Sequence, residues 1–396
     1  MSHVLMASIP APGHVNPHAE VIRRLVDRGH RVSYVNDATW RAQVESLGAT
    51  LVAYPSVLAR HAFAADTDAV THLALFQDEY EAMLPTVTAV FDHDPPDLVL
   101  YDIAGVPARL VATDREIPAI QLSPTYVAWR GYEDDMAEFL DGVRSDPRGA
   151  AYLSRQAAML RVHGIDDDPL DWIAHPDRSI VVIAEQMQPH ADDVDREVYT
   201  FVGPAVRRPD PAAWTPPDDV PLIVVSLGSA FTHQPAFYRR CLDAFGDVDG
   251  TRLILQIGPV DPADVTRGRP LPERVELHPW IPQREMLEAA TVFVTHAGMG
   301  GSGEGLVTAT PMIAVPQAVD QFENADALVA LGVAVRVDTD GATVEALRSA
   351  YETVTAPALR ARSREVAASL AEAGGADRAV AIVEDLAVRW TPSDLP

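Results

Sequence analysis

The sequence predicts an α/β protein made of two doubly wound, Rossmann-like domains that face a central cleft. Three observations carry that expectation. Short apolar runs alternate with helically spaced segments along the whole chain, the pattern of parallel sheets covered by helices on both faces. The 396 residues are more than one ordinary domain needs and enough for two separate cores. Between the halves, "GPAVRRPDPAAWTPPDDVP" at 203–221 has six prolines and no periodicity, the composition of a stiff, extended linker. The boundary is expected near residue 205.

The elements follow in order. Val4, Leu5 and Met6 read as a buried strand. Val21, Ile22, Leu25 and Val26 recur at helical spacing, Gly29 stops that helix, and Val32, Tyr34 and Val35 begin a second strand. The intervening "PAPGHVNP" places His14, Pro10, Pro12 and Pro17 in the turn where a dinucleotide fold keeps its glycines. Further strand-like runs lie at 97–102, 118–123 and 179–184 in the first half. The second half has them at 221–226, 253–257, 292–295, 312–315 and 334–337. The final "ADRAVAIVEDLAVRW" has the pattern of an amphipathic helix.

Bulk composition excludes several function classes. A formal charge of −26 argues against nucleic acid or an anionic membrane as partner, since both demand a basic surface. No apolar run approaches membrane-helix length, and the chain enters its first strand without a basic stretch, so neither a membrane span nor a secretory signal is expected. The one cysteine, Cys241, lies in a helical stretch and reads as a buried structural thiol, which fits a reducing, cytoplasmic setting. An anionic ligand would have to be held locally, by backbone amides and helix ends.

Residues 294–325 offer such a place. "VTHAGMGGSGEGLVTATPMIAVPQAVDQFENA" leaves a strand, passes His296, Gly298, Gly300, Gly301 and Gly303, and enters a helical segment near Glu304. Glycines before a helix let backbone N–H groups approach a phosphate, and the helix terminus adds partial positive charge. Upstream, "ELHPWIPQREML" presents Trp280 between prolines, a rigid surface suited to stacking on a base. Asp320 and Gln321 add a charged acceptor and an amide, which suit sugar hydroxyls.

Taken together, "PWIPQ", "HAGMGGSGE" and "VPQAVDQ" resemble the donor-binding signature of the family 1 glycosyltransferases, nucleotide-diphosphate-sugar enzymes of GT-B fold. The resemblance extends through "PAPGHVNP", "DLVLYD", "LSPTYVAWRGYE", "YTFVGP", "VVSLGSAF" and "AGGADRAV", and it is strongest to bacterial macrolide glycosyltransferases that inactivate antibiotics with UDP-glucose. It implies that Ser229 contacts the diphosphate, Trp280 stacks on uracil, Ile281 bonds it through its backbone, and Gln283 reaches the ribose. It further implies that His296, Gly298, Gly300 and Gly301 hold the phosphates, that Glu304 takes the ribose hydroxyls, and that Asp320 and Gln321 bind the hexose. Met299 and Gly300 stand where the plant motif has Trp and Asn, so contacts there become backbone contacts.

His14 then reads as the base. An acceptor hydroxyl attacking an anomeric carbon must lose its proton, and imidazole titrates near neutrality. Asp102, ending "DLVLYD" at the same sheet edge, would orient the ring and stabilise its cation. The resemblance assigns this pair the same roles.

The domains are accordingly expected at 1–204 for the acceptor, 205–376 for the nucleotide sugar, and 377–396 for a helix and tail crossing back. A single displacement gives inversion, and with the helix dipole and His296 stabilising the leaving diphosphate no divalent metal is required. The "DHD" at 92–94 and "DTD" at 338–340 read as chance in so acidic a chain. Phe76, Tyr80, Tyr126 and Trp129 are candidates for a hydrophobic acceptor pocket, with Leu58, Phe63, Leu75 and Tyr132 beside them. The expected reaction is transfer of a hexose from a UDP-sugar to a macrolide or phenolic hydroxyl. Two alternatives stay open: a biosynthetic dTDP-deoxysugar transferase acting on an aglycone, and a UDP-sugar epimerase of the same fold.

Overall fold

The computed structural model describes residues 1–61, 68–229 and 232–389. The chain forms two compact units, Met1–Ala205 together with Gly374–Pro396, and Val206–Ala373. The first contains a fully parallel sheet in the order β3-β2-β1-β4-β5-β6-β7. Its strands are β1 His3–Ala7, β2 Arg31–Asp37, β3 Thr50–Tyr54, β4 Leu98–Asp102, β5 Ala119–Ser123, β6 Ser179–Val181 and β7 Tyr199–Phe201. The second sheet is also parallel, in the order β10-β9-β8-β11-β12-β13. It consists of β8 Leu222–Ser226, β9 Arg252–Gln256, β10 Val275–His278, β11 Ala290–Thr295, β12 Met312–Ala314 and β13 Ala334–Arg336.

Both sheets reverse strand order once among these strands, between β1 and β4 in the first and between β8 and β11 in the second. Such a reversal opens a crevice beyond the carboxyl ends of the two central strands, where doubly wound folds bind ligands. β1, β4 and β8 are buried along their whole length, because helices cover both faces of the sheet. Three strands were not among the apolar runs. β3 and β10 are edge strands in which only some side chains are buried, and β7 has three residues.

Two helix boundaries differ from the expected ones. The helix after β1 begins at Pro12, so His14 lies in its first turn and not in a preceding loop. Pro12 suits that position, since the first N–H groups of a helix have no intrahelical partner. The glycine-rich segment is likewise helical already from Met299 to Val307, which puts Glu304 mid-helix. A helical pattern read from apolar spacing misses first turns made of Gly and Pro.

The linker is held down rather than free. Arg207 pairs with Glu285, which also accepts the Asp210 amide at 2.8 Å, and Asp218 pairs with Arg252 at 3.0 Å, all within the second unit. At the other end the chain returns at Gly374, ahead of residue 377, where the left-handed φ of +92° at Gly374 separates two helices. The helix Gly375–Arg389 sets Ala376, Ala379, Val380 and Val383 into the core formed by Val21, Ile22 and Leu25. Arg24 pairs there with Asp377, and Arg28 with Glu384 at 2.6 Å. Residues 390–396, the end of the expected tail, lie outside the described residues. Cys241 is fully buried in the second unit's core, and burial pushes its thiol up. Among the described residues no helix is long and apolar enough to cross a membrane.

Candidate active site

The first unit places its chemistry at its own topological switch. Asn36, buried at the end of β2, donates to the Ser8 carbonyl at 3.1 Å and fixes the chain as it leaves β1. The helix Pro12–Asp27 then starts, and His14 projects from its first turn toward the last residue of β4. His14 Nδ1 lies 2.6 Å from Asp102 Oδ1, with the imidazole 22% exposed and the carboxylate fully buried. Since an ionised carboxylate only accepts, Nδ1 carries the proton and Nε2 the lone pair.

A second imidazole, with no counterpart in the expected site, completes the arrangement. His18 sits one turn further along the same helix, fully buried, and its Nε2 donates to Asp102 Oδ2 at 2.9 Å. The Ala104 amide donates to Oδ1 at 2.9 Å. Burial alone would push Asp102's carboxyl up, but the charge of His14 and the hydrogen bonds from both histidines hold it far below the usual carboxylate range. Burial likewise disfavours a cation on His14, yet the charge and hydrogen bond of Asp102 outweigh it and raise the imidazole above its ordinary value. The i, i+4 spacing of His14 and His18 was the available signal, because it puts both rings on one helix face.

The second unit brings its candidates to the corresponding edge. Ser229 is exposed in the bend after β8, while Ala230 and Phe231 of "VVSLGSAF" fall outside the described residues. His296 follows β11 and is packed between glycines. A Cβ on Gly228 would approach its Cε1 to 2.6 Å, and one on Gly298 its Nε2 to 2.3 Å. Burial drives this imidazole down to about 4, against an opposing hydrogen bond that the ring donates to the Ser226 backbone, so it is neutral at pH 7. Gly298 is the N-cap of the helix Met299–Val307, which has no side-chain cap and no acidic residue in its first turn. The amides of Met299, Gly300 and Gly301 precede the first intrahelical bond, from the Ser302 amide to the Gly298 carbonyl at 2.9 Å. They present uncompensated donors at the positive end of the dipole. Ser302 adds a buried hydroxyl with no hydrogen-bond partner beside that terminus, a residue the motif reading passed over.

Gln283 and Glu304, both expected at the ribose, meet directly: Gln283 Nε2 donates to Glu304 Oε2 at 2.7 Å. Burial raises the Glu304 carboxyl despite that bond and the nearby Arg284 and Arg207. Trp280 is 67% exposed, an indole face open for stacking. The Ile281 backbone is less free than expected, since its amide donates to Gln256 at 3.3 Å and its carbonyl accepts from Gln283. Asp320 accepts from Asn324 at 2.9 Å, with burial raising its carboxyl against that bond. Gln321 Oε1 is committed to the amides of Gln317 and Ala318, at 2.8 and 3.1 Å, and shapes the loop that would meet a sugar.

The acceptor candidates divide. Tyr80 and Leu58 are buried in the first unit's core, with Leu75 and Phe76 packed against it, so Tyr80 is a core residue rather than an open pocket wall. The helix Ala69–His93 turns that side inward because Tyr80, Met83 and Val87 share one stripe. Tyr126 and Trp129 are half-buried. The Trp129 ring stacks on His190 at 5.0 Å between centroids, meets Tyr132 edge-on at 5.2 Å, and donates to Asp135 at 2.7 Å. Phe63 lies outside the described residues. In the acidic triplets, Asp92 pairs with Arg115, Asp94 with Arg31 and Asp338 with Arg336.

Comparison with known proteins agrees with this layout. Residues 239–386 match the family model of the erythromycin biosynthesis protein CIII-like C-terminal domain. Oleandomycin glycosyltransferase of Streptomyces antibioticus is 46% identical over 393 residues, covering 97% of this chain and 90% of that one. The NDP-glycosyltransferase YjiC of Bacillus subtilis (strain 168) is 28% identical over 395 residues, covering 96% of each. The crystal structure of the glycotransferase of kitacinnamycin superposes with a TM-score of 0.89 at 41% identity, covering 97% of this chain and 98% of that one. The protein is thus a glycosyltransferase with two Rossmann-like domains of the GT-B type. More narrowly, the chain belongs to the macrolide-type glycosyltransferases of family 1.

Proposed function

We propose that the protein transfers a hexose, glucose in the first instance, from a UDP-sugar to a hydroxyl of a macrolide, with inversion and without a metal, and so inactivates the antibiotic. The observation that carries this reading is the 2.6 Å contact between His14 and the buried, ionised Asp102. His14 Nε2 takes the acceptor proton as the hydroxyl oxygen bonds to the anomeric carbon. The bond from that carbon to the diphosphate breaks, and UDP leaves with the electron pair. Asp102 stabilises the imidazolium that forms. The free amides of Met299, Gly300 and Gly301, beside the neutral His296, support the leaving diphosphate through their hydrogen bonds and the helix dipole. A nucleoside diphosphate suits this acidic chain because its charge is met by backbone donors.

The test is a mass-spectrometric transfer assay with UDP-glucose and a small macrolide panel, in buffer containing EDTA. A product heavier by one hexose residue is expected. Turnover only with a dTDP-deoxysugar would overturn the donor assignment. That second reading has its own support: Gln321 gives its Oε1 to its own loop and Asp320 one oxygen to Asn324, which reduces what both can offer to hexose hydroxyls. Sugar isomers released without acceptor would indicate an epimerase instead.

A further inference from the structure

Asp102 binds two histidines, and only one is used by the proposed reaction. Oδ1 is shared by His14 and the Ala104 amide, while His18 is the partner of Oδ2. His18 is 0% exposed and its Nδ1 has no hydrogen-bond partner. Such an arrangement is costly, since a buried imidazole nitrogen without a partner loses its hydration and gains nothing back. A leucine would fill the same space with no orphaned nitrogen. What His18 supplies that leucine cannot is one N–H aimed at the carboxylate. Because Asp102 accepts only, Nε2 carries the hydrogen of that contact.

We propose that His18 is a positioning residue for glycosyl transfer: its Nε2–H holds Oδ2 of Asp102, commits Oδ1 to His14, and disperses part of the carboxylate's charge away from the base. The claim rests on the reading of His14 as that base. The physical consequence has a definite sign. Remove the His18 donor while Ala104 and His14 still hold Oδ1, and Asp102 keeps its charge with less of it compensated. His14 then faces a more negative neighbour, grips its proton more tightly, and is less often in the neutral form that can accept one. Among the described residues, the other titratable groups that feel the charge of Asp102 are Tyr34 of β2, whose hydroxyl lies 2.8 Å from Ser8 Oγ, and Tyr80 of the helix Ala69–His93. Burial raises both phenols well above their ordinary range, so neither changes charge where His14 titrates.

The experiment compares the wild type with H18L and H18Q. Leucine matches the volume without the donor, and glutamine returns an N–H at the same reach. The His14 titration is followed by NMR of ring-labelled histidine, its signal assigned by its loss in H14A. Beside it, the pH profile of kcat/KM is recorded for transfer. In H18L the His14 titration and the acidic limb of the profile should both move up by about one pH unit. Activity at pH 7 should then fall by up to about tenfold, a loss that disappears at high pH. H18Q should bring both back toward the wild type. An unmoved or lowered His14 titration in H18L, or an H18Q no closer to wild type than H18L, overturns the proposal. A structural defect alone would depress activity equally at all pH. If instead H14A transfers at the wild-type rate, the base assignment fails, while the NMR comparison still reports on His18.

Discussion

His14 and His296 each border the topological switch of their own sheet, one in the first turn of the helix after β1 and the other directly after β11, the strand that corresponds to β4, yet they are tuned in opposite directions. His14 is raised because a buried carboxylate lies 2.6 Å from Nδ1. His296 is driven down to about 4 because glycines, not charges, surround it. One imidazole is prepared to gain a proton and the other to remain neutral against an anion. The same backbone frame hosts proton transfer in one unit and phosphate recognition in the other, and the neighbours of the ring decide which.

Substitution of the two histidines' surroundings separates these roles most sharply. Replacing His14 by Ala should lower transfer by about a thousandfold. UDP affinity by calorimetry should stay at the wild-type level, because the donor residues all lie in the other unit. A fall in UDP affinity comparable to the loss of rate would break the division of labour. The reciprocal change is Gly298→Ala. Its methyl would lie 2.3 Å from His296 Nε2, so the ring must shift from the helix terminus it borders. An increase in KM for the UDP-sugar of about tenfold, with kcat/KM lowered by about a hundredfold, is expected from a displacement of that size. If acceptor KM rose instead, the glycines would not be serving the donor.

Trp280→Ala gives a milder comparison within the second unit. The indole is 67% exposed, so its removal should leave Tm within about a degree or two. Stacking on a base is worth about 1–3 kcal/mol, hence UDP affinity should fall about ten- to a hundredfold. Equal affinity in both proteins would show that the ring stacks on nothing.

The difference between the two units also explains what could be read in advance. Parallel strands such as Val4–Met6 or Val292–Thr295 are continuous apolar runs, visible in the sequence because both faces are buried. The contact of His14 with Asp102 was legible because the helix that carries His14 follows β1, and Asp102 ends β4, the neighbouring strand. His18 was missed: its i, i+4 spacing puts it on the same helix face as His14, but the carboxylate that both rings meet comes into view only when the helix is docked on β4. Tyr80 failed for the converse reason: an aromatic residue on a helix has the same spacing whether it lines a pocket or fills a core. The commitments of Ile281 and Gln321 to Gln256 and to the 317–318 amides depend on loop geometry, which spacing does not encode.

The smallest effect, and the one that tests the tuning itself, is stability against pH. His296 binds a proton in the unfolded chain near its ordinary 6.5 but in the folded protein only near about 4. Between those values the unfolded state holds more protons, so His296 makes the fold less stable as pH falls from 6.5 to about 4, by at most about 3 kcal/mol. His14 acts with the opposite sign. Its raised value gives stabilisation that is complete below 6.5 and lost as pH rises through the folded value. Asp102, held low, contributes above the ordinary 3.8 and loses that contribution only in stronger acid. Denaturant unfolding of wild type, H296Q and H14A across pH 4–8 therefore yields two difference curves. The H296Q variant should gain on the wild type as the solution is acidified from 6.5, and H14A should gain on it as pH rises past 6.5. A flat H296Q difference between 6.5 and 4 would mean that water reaches His296, and that packing between Gly228 and Gly298 does not keep it neutral.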